Sequence, residues 1–283
     1  MPKEQRGIQS IEVGGRLLLA LLDHGAPMTL KDLAQKAEMP PANAHPYLVS
    51  FGKLGLIEQT SGSAAYDLGP LALQLGLASL HRLNPVRFAI PEIVALAART
   101  GQTVALAVWG NRGPTVVHLE ESSQPVHVNL RPGTVMSLLN SATGRVFAAY
   151  LPPKLTERIL NEELREVESE HENALRPSWT YIEETLAKVR SRGMDRAVGH
   201  PIPGINALSA PVFAHTHAIV LVITAMGTIG SFDPEWDGAI AKALLDCTEG
   251  LSRRLGYIGD SAGNRLSVDG PLAISRHSKA WLK

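Results

Sequence analysis

The stretch TLKDLAQKAEMPPANAHPYLVSFGKLG, residues 29–55, holds two predicted helices joined by a tight turn, and it decides the fold. Thr29 is a suitable N-cap for the first helix, with Asp32 where a capping box places its acid. Glu38-Met39-Pro40 forms the connection, and Gly55 is a typical residue to end the second helix. The stretch therefore predicts a helix-turn-helix unit.

The flanking segments complete this unit. Upstream, residues 9–23 carry leucines at helical spacing. Downstream, residues 56–59 and 65–68 are short extended runs on either side of Ser61-Gly62-Ser63, which predicts a hairpin. Three helices followed by a hairpin are the plan of a winged helix-turn-helix, which places its third helix in the major groove of DNA.

Pro46 lies inside the third predicted helix. A proline at this place cannot donate to the carbonyl of Ala42 and clashes with it, at a cost of about 3 kcal/mol. We therefore expect the helix to begin after Pro41, with Asn43 as its N-cap, and to cover residues 44–54. Pro46 would then occupy the third helical position, where its N–H has no intrahelical partner anyway.

The rest of the chain predicts an α+β domain. Residues 70–83 form a leucine-rich helix that is apolar on more than one face, which we interpret as a linker helix packed against a partner chain. Asn84 is placed to cap the next helix. The pattern then predicts strands at 103–109, 115–121, 126–130, 207–213 and 219–226, and helices at 142–150, 155–170, 180–192 and from Asp233 to 255. Thr180 and Glu183 have capping-box spacing. Hairpins flanked by helices indicate an antiparallel sheet.

Composition excludes several classes of protein. The chain has 283 residues, equal numbers of basic and acidic residues (27 each) and one cysteine, so it cannot form an intramolecular disulfide framework. It begins without an apolar signal region and has no apolar run of membrane-spanning length, which predicts a cytoplasmic protein with no membrane contact. Residues 1–83 contain seven basic and seven acidic residues, whereas a DNA-binding module is normally basic.

Several motifs along the chain resemble those of the IclR family of bacterial transcriptional regulators. They are QSIE (9–12), LKDLA (30–34), Ala44-His45 before YLVS (47–50), YDLG (66–69), SATGR (141–145) and GINALSAPV (204–212). The resemblance covers about residues 8–256 and implies a dimer, often with two dimers on one operator. It divides the chain into a winged helix-turn-helix (1–69), a linker helix (70–84), an effector-binding and oligomerisation domain with a GAF-like sheet (85–256) and a C-terminal tail (257–283).

By this resemblance the DNA-reading helix covers Pro41–Leu54. The polar residues expected to approach DNA are Asn43, His45, Tyr47, Ser50 and Lys53. The family commonly has arginine at the place of Pro46, and Ser or Thr near Ala42-Asn43. Arginine is the best ligand for phosphate and guanine, so its absence here weakens the expected DNA contacts.

The resemblance also implies an effector site at the start of the helix that SATG opens. Free N–H groups and the helix dipole at such a terminus attract anions. The implied lining residues are Met136, Ser141, Ala142, Thr143, Gly144, Ala207 and Thr224, with Leu138 and Trp109 as further apolar walls and an acidic contact near Asp195. Because Ala207 replaces a more polar residue of some relatives, the expected effector is an aromatic or larger organic acid. Alternatively, Ser141 and Thr143 only cap the helix.

The leading hypothesis is a ligand-responsive regulator that binds double-stranded operator DNA as a homodimer or dimer of dimers and controls catabolism of an aromatic or other small organic acid. The alternative is a small-molecule sensor that acts through a protein partner and has a degenerate DNA-binding module. An enzyme is not expected, because no catalytic set stands out. No cofactor or metal site is expected either, since His215 and His217 lack an acidic or cysteine partner.

Overall fold

The computed structural model describes residues 7–60, 62–81, 83–122, 130–170 and 177–259. The chain divides into two compact units, residues 1–83 and 84–283. The strand predicted at 126–130 lies outside the described residues except for Leu130, and so does the tail from residue 260.

The first unit is a winged helix-turn-helix, as the sequence predicts. Its elements are α1 (Gln9–His24), β1 (Met28–Thr29), α2 (Leu30–Lys36), α3 (Pro41–Leu54), β2 (Ile57–Gln59), β3 (Ala65–Leu68) and α4 (Pro70–His81). The strands form an antiparallel sheet in the order β1-β3-β2. The cap at Thr29 is confirmed, because its hydroxyl accepts from the Asp32 amide at 3.3 Å and donates to the Asp32 carboxylate at 2.7 Å.

The predicted start of the third helix is wrong. Helix α3 begins at Pro41 with Pro40 as its N-cap, and the amides of Asn43 and Ala44 donate to the Pro40 carbonyl at 2.9 and 3.1 Å. Pro41 at the first helical position sacrifices no bond and presets the helical φ. Ala44 and Leu48 are 0% and 2% exposed in the core that α3 shares with α1 and α2. This packing carries the helix through Pro46 despite the lost bond.

The second unit is built on one antiparallel sheet of five strands in the order β5-β4-β8-β7-β6. Its elements are α5 (Pro85–Thr100), β4 (Thr103–Gly110), β5 (Gly113–Glu120), α6 (Ala142–Tyr150), α7 (Pro153–Glu170), α8 (Trp179–Arg192), β6 (Asp195–Val198), β7 (Ile205–Phe213), β8 (Ile219–Thr228) and α9 (Ala239–Arg254). The predicted α+β class with an antiparallel sheet flanked by helices is confirmed.

Helices cover both faces of this sheet. Ala107 shares an apolar cluster with Phe147 of α6, and α8 packs on α6. Because successive strand residues point to opposite faces, Leu106 lies on the other face, and its exposure of 0% shows that this face is covered too. Helices α5 and α9 pack against each other and against β4, β7 and β8. The helix α6 is thus held between the sheet and α8.

Several local predictions are wrong in informative ways. Helix α8 begins earlier than predicted, because Ser178 and not Thr180 is its N-cap and accepts from the Tyr181 amide at 3.1 Å. Helix α9 begins at Ala239, because the Asp233 carboxylate accepts from the Glu235 amide within the preceding loop. The short strand β6 is absent from the sequence-based prediction. Helix α7 begins two residues before the predicted bound, at Pro153, and buries Leu160 and Leu164.

Arg145 joins α6 to the edge of the sheet. Its Nε donates to the Asp195 carboxylate at 2.5 Å, and its two other nitrogens donate to the carbonyls of Leu139 and Arg196 at 2.8 and 2.9 Å. Asp195 is 8% exposed, so the ion pair is largely removed from water. One guanidinium therefore fixes the loop before α6, the helix itself and β6.

Glu163 of α7 holds the same loop from the other side. Its carboxylate accepts from the Ser137 hydroxyl and from the amides of Leu138 and Leu139 at 2.8 to 2.9 Å. A partly buried carboxylate that accepts from three donors is a strong local restraint. Together with Arg145, this carboxylate sets the path of the chain into α6.

Replacing Pro46 with alanine should stabilise the protein. The variant restores the amide that donates to the Ala42 carbonyl, and we expect the free energy of unfolding to rise by about 1–2 kcal/mol, measured by urea denaturation. The control is Pro41→Ala, which restores an amide without an intrahelical partner and should not stabilise. A Pro46→Ala protein no more stable than the parent would contradict the interior position of this proline.

Replacing Arg145 with alanine should lower the free energy of unfolding by about 3 kcal/mol, because Asp195 would remain buried without its partner. Arg158→Ala is the matched control, since Arg158 pairs with Glu162 on the surface at 2.7 Å and its side chain is 65% exposed. We expect that control to lose less than about 1 kcal/mol in the same denaturation experiment. Equal losses in the two variants would refute the special role of Arg145.

Candidate functional site

The outward face of α3 presents most of the residues that the sequence predicts to contact DNA. Asn43, His45, Ser50 and Lys53 are exposed. Tyr47 differs, because its ring packs against α1 beside Gly14 and is half-buried. The Ser50 hydroxyl donates to the Pro46 carbonyl at 2.9 Å, so its proton is already used within the helix.

The centre of this face is apolar, which the sequence analysis missed. Ala42, Pro46 and Val49 are exposed and lie in line with Lys53. At 3.6 residues per turn these four positions fall within about 60° of arc, opposite the buried Ala44. Helical spacing from the buried positions is the signal that could have identified Val49.

The second unit contains a small cavity at the N-terminus of α6. It measures about 40 Å³ and is lined by Leu130, Met136, Ser141, Ala142, Thr143, Ala197, His200, Pro201, Ile202, Ile205, Ala207, Thr224 and Met226. Six of the seven residues predicted to bind an effector therefore meet around one cavity. Sequence reasoning missed the wall from His200 to Ile205, because nothing in its local pattern places that loop beside α6.

Gly144, the seventh predicted residue, does not line this cavity. It is buried where α6 passes so close to the preceding loop that a Cβ atom would overlap the Ser137 carbonyl. Its role is therefore to permit this approach. The expected walls at Leu138 and Trp109 are also wrong, since Leu138 lines a neighbouring cavity and the Trp109 ring packs against Phe147 at 5.9 Å.

The hydroxyl groups beside the cavity already have hydrogen-bond partners within the protein. Ser141 caps α6, accepting from the Gly144 amide at 2.9 Å and donating to the Ser137 carbonyl at 2.6 Å, as the alternative interpretation of this residue expected. Thr224 lies 2.8 Å from the hydroxyls of both Thr143 and Ser209, and all three residues are buried. The cavity wall is therefore mostly apolar, with this hydroxyl cluster behind it.

The acidic contact expected near Asp195 is absent from the cavity lining, because the carboxylate turns away to Arg145. A second cavity of about 320 Å³ adjoins the first and lies among α6, α7 and α8. His200 lines both cavities. The two linings have this one residue in common, and it lies on the loop after β6.

The groups considered for other chemistry are unremarkable in their surroundings. Burial, with a smaller contribution from Glu92 and against the opposing effect of Arg99, raises the pKa of the Cys247 thiol to about 11, so the thiol is neutral at pH 7. His215 and His217 are exposed in the turn between β7 and β8. In the described part of the chain, no group of three or more His, Cys, Asp or Glu residues could hold a metal ion. No helix among the same residues has the length and apolarity to cross a membrane.

Helix α4 has an unpartnered apolar surface within its own unit. Leu73, Leu75 and Leu77 are 65%, 57% and 45% exposed. Their burial against a partner chain remains a prediction.

Two family models match this architecture unit by unit. The model of the IclR helix-turn-helix domain matches residues 10–61, and the model of the bacterial transcriptional regulator IclR C-terminal region matches residues 77–253. The first match lies within the winged unit, and the second begins in α4 and covers most of the sheet unit. The order of the two domains along the chain is also the one observed.

Known proteins support the same assignment. The crystal structure of Pseudomonas aeruginosa HmgR superposes with a TM-score of 0.81 at 35% identity, covering 89% of this chain and 100% of that one. The glycerol operon regulatory protein of Streptomyces coelicolor is 27% identical, over 89% of this chain and 98% of its own. The transcriptional repressor IclR of Escherichia coli is 24% identical, over 85% and 89%. This chain belongs to the IclR family of bacterial transcriptional regulators.

Proposed function

We propose that the protein is a ligand-responsive transcriptional regulator that binds double-stranded operator DNA through α3. The carrying observation is the exposed outer face of α3, with Asn43, His45, Ser50 and Lys53, on a winged helix-turn-helix. Such a unit inserts this helix into the major groove. A regulator of this kind acts where the DNA lies, so we place it in the cytoplasm.

We propose that the working form is a homodimer or a dimer of dimers. Residues 1–83 carry no net charge, so a single unit neutralises few phosphates and binds weakly. Linking two units raises affinity through effective concentration without any new contact. The exposed leucines of α4 supply an apolar surface on which two copies can associate.

We further propose a small organic acid as the effector, bound at the N-terminus of α6. The helix dipole there favours a carboxylate. The cavity of about 40 Å³ is well below the roughly 150 Å³ that holds a benzene ring, so an aromatic acid requires one wall to move.

The loop containing His200 is suited to this movement, since Gly199 and Gly204 on either side have φ of +64° and +80°. Its movement would open the cavity into the adjoining one of about 320 Å³.

Opening of this kind provides a physical route for regulation. A ligand that binds only the enlarged state shifts the population towards it. The loop before α6 is also held by Arg145 and Glu163, so a change in the cavity reaches α7 and β6. The Streptomyces coelicolor relative is named as the regulatory protein of the glycerol operon. This name supports a role for this chain in controlling genes of catabolism.

Sequence-specific DNA binding can be tested by selection from a random duplex library, followed by fluorescence anisotropy at two salt concentrations. We expect two copies of one enriched half-site and affinity that falls as salt rises. Lys53→Glu should weaken binding, whereas Lys154→Glu, an equal charge reversal on an exposed residue of the second unit, should not. Failure to enrich any sequence would contradict the proposal and favour a sensor that acts through a protein partner.

The effector site can be tested with Ala142→Val, whose two extra methyl groups occupy most of the cavity of about 40 Å³. We expect organic acids that raise the melting temperature of the parent protein and alter its DNA affinity to lose both effects in this variant. Its DNA affinity without ligand should be unchanged. Ala187→Val is the control, because Ala187 is exposed on α8. An Ala142→Val protein that responds fully would argue against this cavity.

A further inference from the structure

The exposed face of α3 carries an apolar stripe formed by Ala42, Pro46 and Val49. Val49 is 44% exposed, and Ala42 and Pro46 are also exposed. The stripe lies opposite the buried Ala44 and Leu48, so it occupies the part of the helix that projects furthest from its own unit. If α3 enters the major groove, these three side chains meet the base edges first.

The stripe cannot read bases by hydrogen bonds from its side chains. Lys53 is the only basic residue of α3, and it lies in the last turn. The polar residues Asn43, His45 and Ser50 flank the stripe. The one apolar group that base edges present in the major groove is the C5-methyl of thymine.

We propose that α3 recognises thymine methyl groups, and that the centre of each operator half-site consists of A·T pairs contacted by Ala42, Pro46 and Val49. This inference rests on the proposed DNA-binding function. The distance from residue 42 to residue 49 along the helix axis is about 10 Å, at roughly 1.5 Å per residue. With a step of about 3.4 Å per base pair, the stripe spans about three consecutive pairs.

The residue types of the stripe suit such contacts energetically. The ring of proline and the side chain of alanine have almost no rotamer freedom to lose on binding, and valine is restricted at χ1. Each buried methyl group therefore retains most of its hydrophobic gain. This recognition also agrees with the charge balance of residues 1–83, because it does not depend on many phosphate contacts.

The experiment replaces thymine by deoxyuridine in a duplex obtained by selection with the full chain. Deoxyuridine pairs with adenine but lacks the methyl group. We expect Kd to rise about fourfold for each thymine replaced in the half-site centre, which corresponds to loss of one buried methyl group. Replacement of thymines outside the half-sites is the control and should leave Kd unchanged.

A protein variant distinguishes methyl contacts from changes in DNA stiffness. Val49→Ser replaces the last apolar side chain of the stripe by a polar one, and we expect it to abolish the discrimination between thymine and deoxyuridine at one position while retaining it at the others. Because Val49 is exposed, the far-ultraviolet circular dichroism spectrum and the melting temperature of the variant should match those of the parent protein. If the variant distinguishes thymine from deoxyuridine at every position as well as the parent does, the assignment is contradicted.

The outcomes separate the two proposals. If the chain selects no sequence, both the DNA-binding function and this inference fail. If it selects a half-site whose centre lacks thymine, or binds thymine and deoxyuridine duplexes equally well, the DNA-binding function stands and the methyl recognition is overturned.

Discussion

The three hydrogen bonds of the Arg145 guanidinium hold together the part of the second unit that forms the cavity at the N-terminus of α6. They connect α6 to Asp195 and to the carbonyls of Leu139 and Arg196. Since the ion pair is largely buried, its contribution to stability depends on both charged groups having all their hydrogen-bond partners. The walls that α6, the preceding loop and β6 contribute to the cavity are positioned by this one contact.

The close approach beneath α6 imposes a second constraint. Gly144 leaves no space for a side chain beside Ser137, and the Ser137 carbonyl accepts from the cap residue Ser141 at 2.6 Å. The motif that resembles an anion-binding loop is thus also a packing motif. Its backbone is tightly restrained, whereas the loop containing His200, which lines both cavities, is flanked by Gly199 and Gly204 with positive φ.

In the first unit, the two sides of α3 differ in their surroundings, because one side packs in the core and the other is exposed. The inner side of α3 is fixed by Ala44 and Leu48, and this anchoring lets α3 tolerate Pro46 on its outer side. An outward proline removes an amide from the backbone and places a rigid apolar ring on the surface. Pro46 therefore weakens the helix and at the same time makes its exposed face more apolar.

The sequence by itself determined the order of the elements other than β1 and β6, the winged helix-turn-helix, the antiparallel class of the second unit and the bounds of α6. These follow from periodicity, glycine stops and caps such as Thr29 and Asn84, all of which act between neighbours in the chain. It also identified six cavity residues through a resemblance that relates distant segments.

Only the tertiary structure decided where α3 begins, where the Asp195 carboxylate points and which loop closes the cavity. Each depends on contacts between residues far apart in the chain. Local rules predict that a proline at position 46 destabilises the helix by about 3 kcal/mol. They do not include the burial of Ala44 and Leu48, which offsets this cost. Asp195 likewise meets Arg145 only because β6 pairs with β7 beside α6. Such long-range packing has no signature in local sequence, and it decided the details of both sites.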